Sequence, residues 1–214
     1  MRIPKHLAVI PDGNRRWAED NGMTRDRGYH SGLNPGVEVF KLCQKHGIEE
    51  LTFYGFTADN TKRPTIQRLA FTKACIDAVE LLTKEDAELL VIGNTDSKMF
   101  PEELKPFTNT RKKFGKGGTK VNFLVNYDWK WDINNLNNEE KKAINPIELL
   151  KSKDISRVDL IIRWGGRRRL SGFLPLQAVY SDFFIVDDYW PDFSPDHFIS
   201  ALDWYNVQDI TLGG

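Results

Sequence analysis

Six short apolar runs recur along the chain, at residues 6–10, 50–56, 89–93, 121–127, 158–163 and 182–186, with helical patterns in the intervals. This alternation narrows the fold more than any other feature. Several of the runs are apolar nearly throughout, as strands covered on both faces are. Between them, Val37, Phe40 and Cys43 recur at spacings of three and are followed by Gly47, a natural helix stop. Phe71, Cys75, Ala78, Val79 and Leu82 form a second helical stripe, and Phe198, Ala201, Leu202 and Tyr205 a third. Strands alternating with helices predict an α/β fold: a single domain over residues 1–214, with a mostly parallel six-stranded sheet and right-handed crossovers. Residues 111–120, RKKFGKGGTK, are expected to be a solvated connection, and so is the polar, Asn-rich stretch 132–145.

Thirty Lys and Arg balance thirty Asp and Glu, and that zero net charge argues against a dedicated nucleic-acid binder. The apolar stretch near the N-terminus is too short for a signal peptide, and no run is long enough for a membrane span. A cytoplasmic location is expected, with at most a loose membrane association through a lipid product. Cys43 and Cys75 fall on apolar helical stripes and read as small core residues rather than a disulfide framework. GKGGTK precedes a strand instead of following one, so it is not a phosphate loop.

In an open parallel sheet, ligands bind beyond the carboxyl ends of the strands, so the segments following the strands are the informative ones. They read PDGNRRW after the first strand, TADNTKRP after the second, Asn126-Tyr127 after the fourth and RWGGRRRLSG after the fifth. Of thirteen arginines, eight lie in these segments or just after the first helix: Arg15, Arg16, Arg25, Arg63, Arg163, Arg167, Arg168 and Arg169. Guanidinium forks match phosphate oxygens, and the start of a helix at Asp12-Gly13-Asn14 adds free backbone N–H groups. Eight arginines exceed what one phosphate needs, which points to two oligophosphate groups side by side, with Asp12 pairing with cations or holding Mg²⁺. Two plainer readings stand beside this one: Arg167–Arg169 as a solvated surface loop, and Asp12 as a helix cap. His6, His46 and His197 read as structural or exposed, while Trp17 and Trp164 flank the site and divide evenly between core and cleft.

At these residues the sequence resembles the cis-prenyltransferases, the undecaprenyl diphosphate synthase family. HLAVIPDGNRRWA (6–18) looks like that family's opening signature, LTFYGFTADNTKRP (51–64) its second block and DLIIRWGGRRRLS (159–171) its third. Residues 177–182 and Tyr189-Trp190-Pro191-Asp192-Phe193 continue the third block. The resemblance implies a six-stranded parallel sheet with flanking helices and an apolar tunnel, usually in a dimer. It also implies transfer of an allylic prenyl group from its diphosphate to isopentenyl or dimethylallyl diphosphate, with Mg²⁺. By resemblance Asp12 is the essential carboxylate near the metal, with Asp182 in place of the usual Glu. Gly13, Asn14, Arg15, Arg16, Arg25 and Arg63 would hold the allylic diphosphate, with Trp17 and Tyr29 beside them. Thr57 and Asn60 would stand near the reacting carbons, and Arg163, Arg169 and Ser171 would bind the acceptor diphosphate.

The departures from the family pattern carry their own expectations. Tyr29 stands in place of His, Arg15 in place of Gly and Thr61 in place of an aromatic residue. Asn126-Tyr127 is followed by Asp128-Trp129-Lys130 rather than Gly-Gly-Arg; Trp164 and Arg167 replace a small hydroxyl residue and a Glu; Gly172 and Pro175 also deviate. The terminal Arg-x-Gly reads Thr211-Leu212-Gly213, and the connections before Gly93 and Asp159 look short. Together these resemble the branch that joins short prenyl units, with Trp164 and Arg167 altering the acceptor site. The missing arginine leaves a second possibility, the catalytic chain of a heteromeric long-chain synthase. A non-catalytic partner chain fits less well, because such chains lose the Asp and keep the Arg-x-Gly.

Overall fold

A computed structural model describes residues 2–137 and 145–209. Among the described residues seven strands form one sheet: β1 (His6–Ile10), β2 (Glu50–Tyr54), β3 (Ala87–Ile92), β4 (Lys112–Phe114), β5 (Thr119–Leu124), β6 (Leu160–Arg163) and β7 (Asp182–Ile185), in the order β4-β3-β5-β2-β1-β6-β7. All neighbours run parallel except β4, which is antiparallel to β3. The helices are α1 (Asn14–Asp20), α2 (Gly28–Ser31), α3 (Leu33–Lys45), α4 (Thr65–Leu82), α5 (Trp129–Asp132) and α6 (Pro195–Asn206). None of them, within the described residues, is long and apolar enough to cross a membrane.

Strand periodicity sorts the side chains into two layers. Leu7 and Val9 of β1 face one core, which α3, α4 and α6 supply with Phe40, Cys43, Cys75, Val79, Phe198 and Leu202. Ala8 and Ile10 face the other, closed by irregular chain through Ile155, Val158, Phe173 and Leu174. The three helical stripes read from the sequence therefore all cover the same face. Helix α3 ends at Gly47 as its spacing predicts: Ile48 N–H donates to the Cys43 carbonyl and Gly47 N–H to that of Gln44, satisfying carbonyls left open by the helix end. Both cysteines are buried and free.

The sheet has one strand more than its apolar runs suggest. Residues 112–114 are an edge strand, hidden in the sequence because Lys112 and Lys113 point to solvent while Phe114 packs against Phe107 with ring centroids 6.1 Å apart. Lysines on an edge strand bar further strand pairing, so the charge that suggests a loop is itself an edge device. Residue 132 also departs from its expected place in a surface loop. Asp132 is 1% exposed and its carboxylate accepts from Tyr127 Oη at 2.7 Å, Ser152 N at 2.8 Å and Ser152 Oγ at 2.6 Å.

Strand order locates the crevice. From β1 the chain crosses to β2 on one side, whereas β6 lies on the other side of β1 and leads outward to β7. The connections leaving the carboxyl ends of β1 and β6 thus diverge, and the gap between them is where an open α/β sheet receives a ligand.

Candidate active site

A cleft of about 480 Å³ opens at that gap. From the end of β1 come Asp12, Gly13, Asn14, Arg15 and Arg16; from the loop after β2 come Thr57, Asn60 and Arg63; from β6 and its loop come Arg163, Arg167, Arg169 and Ser171; Arg25 and Tyr29 complete the wall. Seven of the eight arginines singled out in the sequence line it, and only Arg168 of that set does not.

Asp12 sits at the junction of the two arginine groups. Its Oδ1 accepts from Gly13 N–H at 2.7 Å, and its Oδ2 from Arg163 Nη2 at 2.7 Å. Arg16 Nη2 stands 3.6 Å from the same carboxylate and donates to the Gly165 carbonyl at 2.8 Å. Gly13 must turn tightly to place Asp12 here. Its φ is +103°, and a Cβ would stand 2.7 Å from Tyr189 Cδ1, so a side chain is barred both by backbone strain and by space.

The remaining residues are held from below. Arg163 is 3% exposed; its Nη1 donates to Ser171 Oγ at 3.1 Å and to the Arg169 carbonyl, drawing the arginine-rich loop over the strand end. Thr57 and Asn60 lock one another: Thr57 N–H donates to Asn60 Oδ1 at 3.0 Å, and the Thr57 side chain accepts in return from the Asn60 backbone. Arg63 donates to Tyr29 Oη at 2.9 Å and lies over the Phe71 ring at 5.3 Å. Burial lowers the proton affinity of Arg63, with Tyr29 opposing that shift and the Arg15 charge adding to it. Arg25 pairs instead with Glu19 at 2.5 Å, on the rim.

Beside the cleft, and sharing Pro11, Asn14, Tyr29, Gly55 and Phe71 with it, lies an apolar cavity of about 70 Å³. Helix α4 contributes Ala74, Cys75, Ala78 and Leu82 to it, and β2 and β5 contribute Phe53 and Phe123, whose ring centroids are 5.4 Å apart. Burial pushes the Cys75 thiol up to about 12, so it is a wall residue and not a nucleophile.

Three expectations need correction. Trp17 faces away from the cleft, with its indole Nε1 donating to Asp192 at 2.7 Å, because its neighbours in α1 already occupy the inner face. Asp182 opens β7 in register with Leu160, at the amino end of the sheet, where it pairs with Arg2 at 3.3 Å; a parallel strand cannot bring its first residue to Asp12 within this chain. Trp164 is fully buried in the helical layer. It packs on Trp190 with centroids 4.8 Å apart and donates to His197 Nδ1 at 3.4 Å, so it does not reshape the cleft. His6 and His197 are structural, as expected; His197 caps α6 and pairs with Asp188 at 3.2 Å. Thr211-Leu212-Gly213 lies outside the described residues.

Sequence reasoning missed the supports of this site. Tyr54 Oη donates to the Ser171 carbonyl at 2.8 Å, and Tyr127 bridges to Thr57 while its carbonyl accepts from Ala58 N–H at 2.9 Å. The available signal was chemical: a tyrosine in an otherwise apolar strand needs a partner for its hydroxyl when buried.

Comparisons with known proteins converge on one family. The family model of undecaprenyl diphosphate synthase matches residues 10–213. A ditrans,polycis-undecaprenyl-diphosphate synthase of Buchnera aphidicola, named as specific for (2E,6E)-farnesyl diphosphate, is 31% identical over 98% of this chain and 91% of its own length. An isoprenyl transferase of Agrobacterium fabrum is 32% identical over 99% of this chain and 92% of its own. Among solved structures, lavandulyl diphosphate synthase from Lavandula x intermedia, in complex with dimethylallyl diphosphate, superposes with a TM-score of 0.84 at 23% identity, over 99% of this chain and 98% of that one.

Proposed function

This chain belongs to the undecaprenyl diphosphate synthase family and is a prenyltransferase, and we propose that it moves an allylic prenyl group from its diphosphate onto isopentenyl or dimethylallyl diphosphate and stops at short products. In that reaction the allylic C–O bond breaks with its electron pair going to the diphosphate, the acceptor alkene forms the new C–C bond, and a proton leaves the acceptor. The cleft's arginines suit the negative charge that develops on the leaving group. Two anion sites in one cleft suit the approach of donor carbon to acceptor alkene. The donor-side set is Arg15, Arg16, Arg25 and Arg63 with Asn14 and Gly13; the acceptor-side set is Arg163, Arg169 and Ser171, all lining the cleft.

Mg²⁺ belongs to this reading. The ion uses one or two carboxylates and fills its other positions with phosphate oxygens and water. Among the described residues no three His, Cys, Asp or Glu converge, while Asp12, about a third exposed in the cleft, offers the single carboxylate such an arrangement needs. When bound, the ion would neutralise developing diphosphate charge.

One observation carries the short-product reading: the cavity beside the diphosphate cleft is narrow, about 70 Å³, and is walled by Phe53, Phe123 and Leu82. An apolar cavity that accepts a benzene ring is about 150 Å³, so this room leaves no space for a long tail. The dimethylallyl diphosphate named with the plant neighbour fits the same scale, whereas the bacterial relatives are named for a long product. The test is incubation with labelled isopentenyl and dimethylallyl diphosphates and short allylic donors, followed by mass analysis. Products of one condensation are expected, and Phe123→Ala should shift them longer; a ladder of long products from the unaltered chain would overturn the reading.

Assembly enters here too. Val179 is 65% exposed and Tyr180 60%, just before the open edge strand β7, and this apolar surface suits a homodimer. Thr211-Leu212-Gly213, without the family's arginine, supports a second reading in which a related partner chain completes the acceptor site. Turnover by the isolated, homodimeric chain would eliminate it.

A further inference from the structure

Two departures from the family pattern meet in space. Trp129 stands where the resemblance leads one to expect glycine, and Gly172 deviates in the loop that carries Arg169 and Ser171. The edge of the Trp129 indole lies against Gly172, so closely that a Cβ at position 172 would stand 2.8 Å from Trp129 Cδ1. Ser171 and Gly172 are both left-handed, with φ of +55° and +80°, so the loop bends sharply just where the indole covers it.

Other ties hold the loop from within. Tyr54 donates to the Ser171 carbonyl at 2.8 Å and its ring meets that of Phe173 edge-on at 5.2 Å. Arg163 holds Ser171 Oγ at 3.1 Å. These contacts fix the inner side of the bend, and Trp129 covers the Gly172 side. Its own base is rigid: Asp128 caps α5 by accepting from Lys130 N at 2.9 Å, and the far end of this one-turn helix is anchored by buried Asp132 on Tyr127 and Ser152. The indole is 41% exposed, with Lys130 Nζ 5.7 Å from its ring, and its edge is set against Gly172.

We propose that Trp129 and Gly172 form a complementary clasp that sets the Arg169–Ser171 loop over the cleft, making Trp129 a positioning residue for the acceptor diphosphate. The inference rests on the reading above that this loop binds the acceptor. Bulk on either side of the clasp is matched by its lack on the other, so the pair acts as a unit: removing the indole frees the loop, and adding a side chain at 172 displaces the indole and frees it equally.

A four-variant cycle tests this, using Trp129→Gly, Gly172→Asn and the double variant beside the unaltered chain. Asn is chosen because it tolerates a left-handed φ, so it adds volume with little backbone strain. Each single variant should raise the acceptor KM about tenfold while the donor KM and kcat stay within about twofold. The double variant should be no worse than either single one, since contacting residues are not additive. Trp129→Phe, which keeps a ring on Gly172, should recover most of the loss, and Trp129→Leu replaces Trp129→Gly in the cycle if thermal melting shows the latter to be unfolded. Effects that multiply would overturn the clasp. Non-additive effects that fall on the donor KM would leave the contact standing and overturn the assignment of this loop to the acceptor, so the two failures are distinguishable.

Discussion

The four central strands β1, β2, β5 and β6 have two very different ends. At the amino end, His6, Glu50, Thr52 and Asn122 form a closed set. Asn122 Nδ2 donates to Glu50 Oε1 at 2.6 Å and to Thr52 Oγ1 at 2.8 Å, and Thr52 Oγ1 lies 2.7 Å from His6 Nε2. Arg111 donates to Asn122 Oδ1 at 2.6 Å, and Nδ1 of His6 lies 3.1 Å from the Ser156 carbonyl. At the carboxyl end the charges do not close. Seven arginines share the cleft with the carboxylates of Asp12, Glu19 and Asp59, and the buried Arg163 Nε and Asn14 Oδ1 find no partner among the described residues. One end of the sheet is paired within itself; the other keeps a surplus of cationic donors, which the diphosphates of the proposed reaction would engage.

This contrast can be broken at either end. The largest effect is expected from Asp12→Ala, which should lower kcat/KM about 10³-fold, a loss of about 4 kcal/mol at the transition state, with a melting temperature close to that of the unaltered chain. Steady-state kinetics at varied Mg²⁺ beside thermal melting would decide it, and normal Mg²⁺-dependent turnover would remove Asp12 from the chemistry. Glu50→Ala should do the reverse: about 2 kcal/mol of stability lost in urea titrations, because Asn122 Nδ2 and Ser156 N–H both lose the Glu50 carboxylate as acceptor, with the kinetics of the folded fraction unchanged.

The third test uses pH. Burial holds the His6 imidazole below its ordinary value of 6.5, against the pull of Glu50. The unfolded chain therefore binds that proton more readily, so this contribution is present above about pH 6.5 and is lost as pH falls through the depressed folded value. Glu50 adds a second window. Burial opposes its ionisation, but His6, Asn122 and Ser156 outweigh that and hold the carboxyl below 4.5, so its share of stability disappears under more acidic conditions still. His6→Gln should flatten the fall of stability as pH drops below about 6.5; an unchanged slope would place the sensitivity elsewhere. The smallest effect is expected from Trp17→Phe, which removes only the bond to Asp192 and should leave both KM values within about twofold. A selective rise in donor KM would return Trp17 to the cleft.

What was legible in the sequence followed from repetition and from chemistry with one interpretation. Apolar runs at strand length and stripes at helical spacing produced the parallel sheet and its helical layer, because burial on both faces leaves little other choice. Arginines after strand ends marked the cleft, since the sheet's geometry makes those segments converge. Elements whose pattern is masked or non-local were lost. Lys112 and Lys113 disguised an edge strand as a loop. Asp132 looked like surface because its partners Tyr127 and Ser152 are brought to it only by the fold. Asp182 was misplaced because a motif match conveys order along the chain, not which end of a strand a residue occupies. Trp164, next to Arg163, points to the opposite side of the sheet, as successive residues of a strand do.

The two outer strands carry a final consequence. Edge strand β4 presents lysines, whereas β7 is bordered by exposed Val179 and Tyr180. Among the described residues, one margin of the sheet is thus guarded by charge and the other bordered by apolar side chains. In the proposed homodimer, a symmetric pairing of two copies at the β7 margin would leave the lysine-bearing margins facing outward, and the sheet would not extend further.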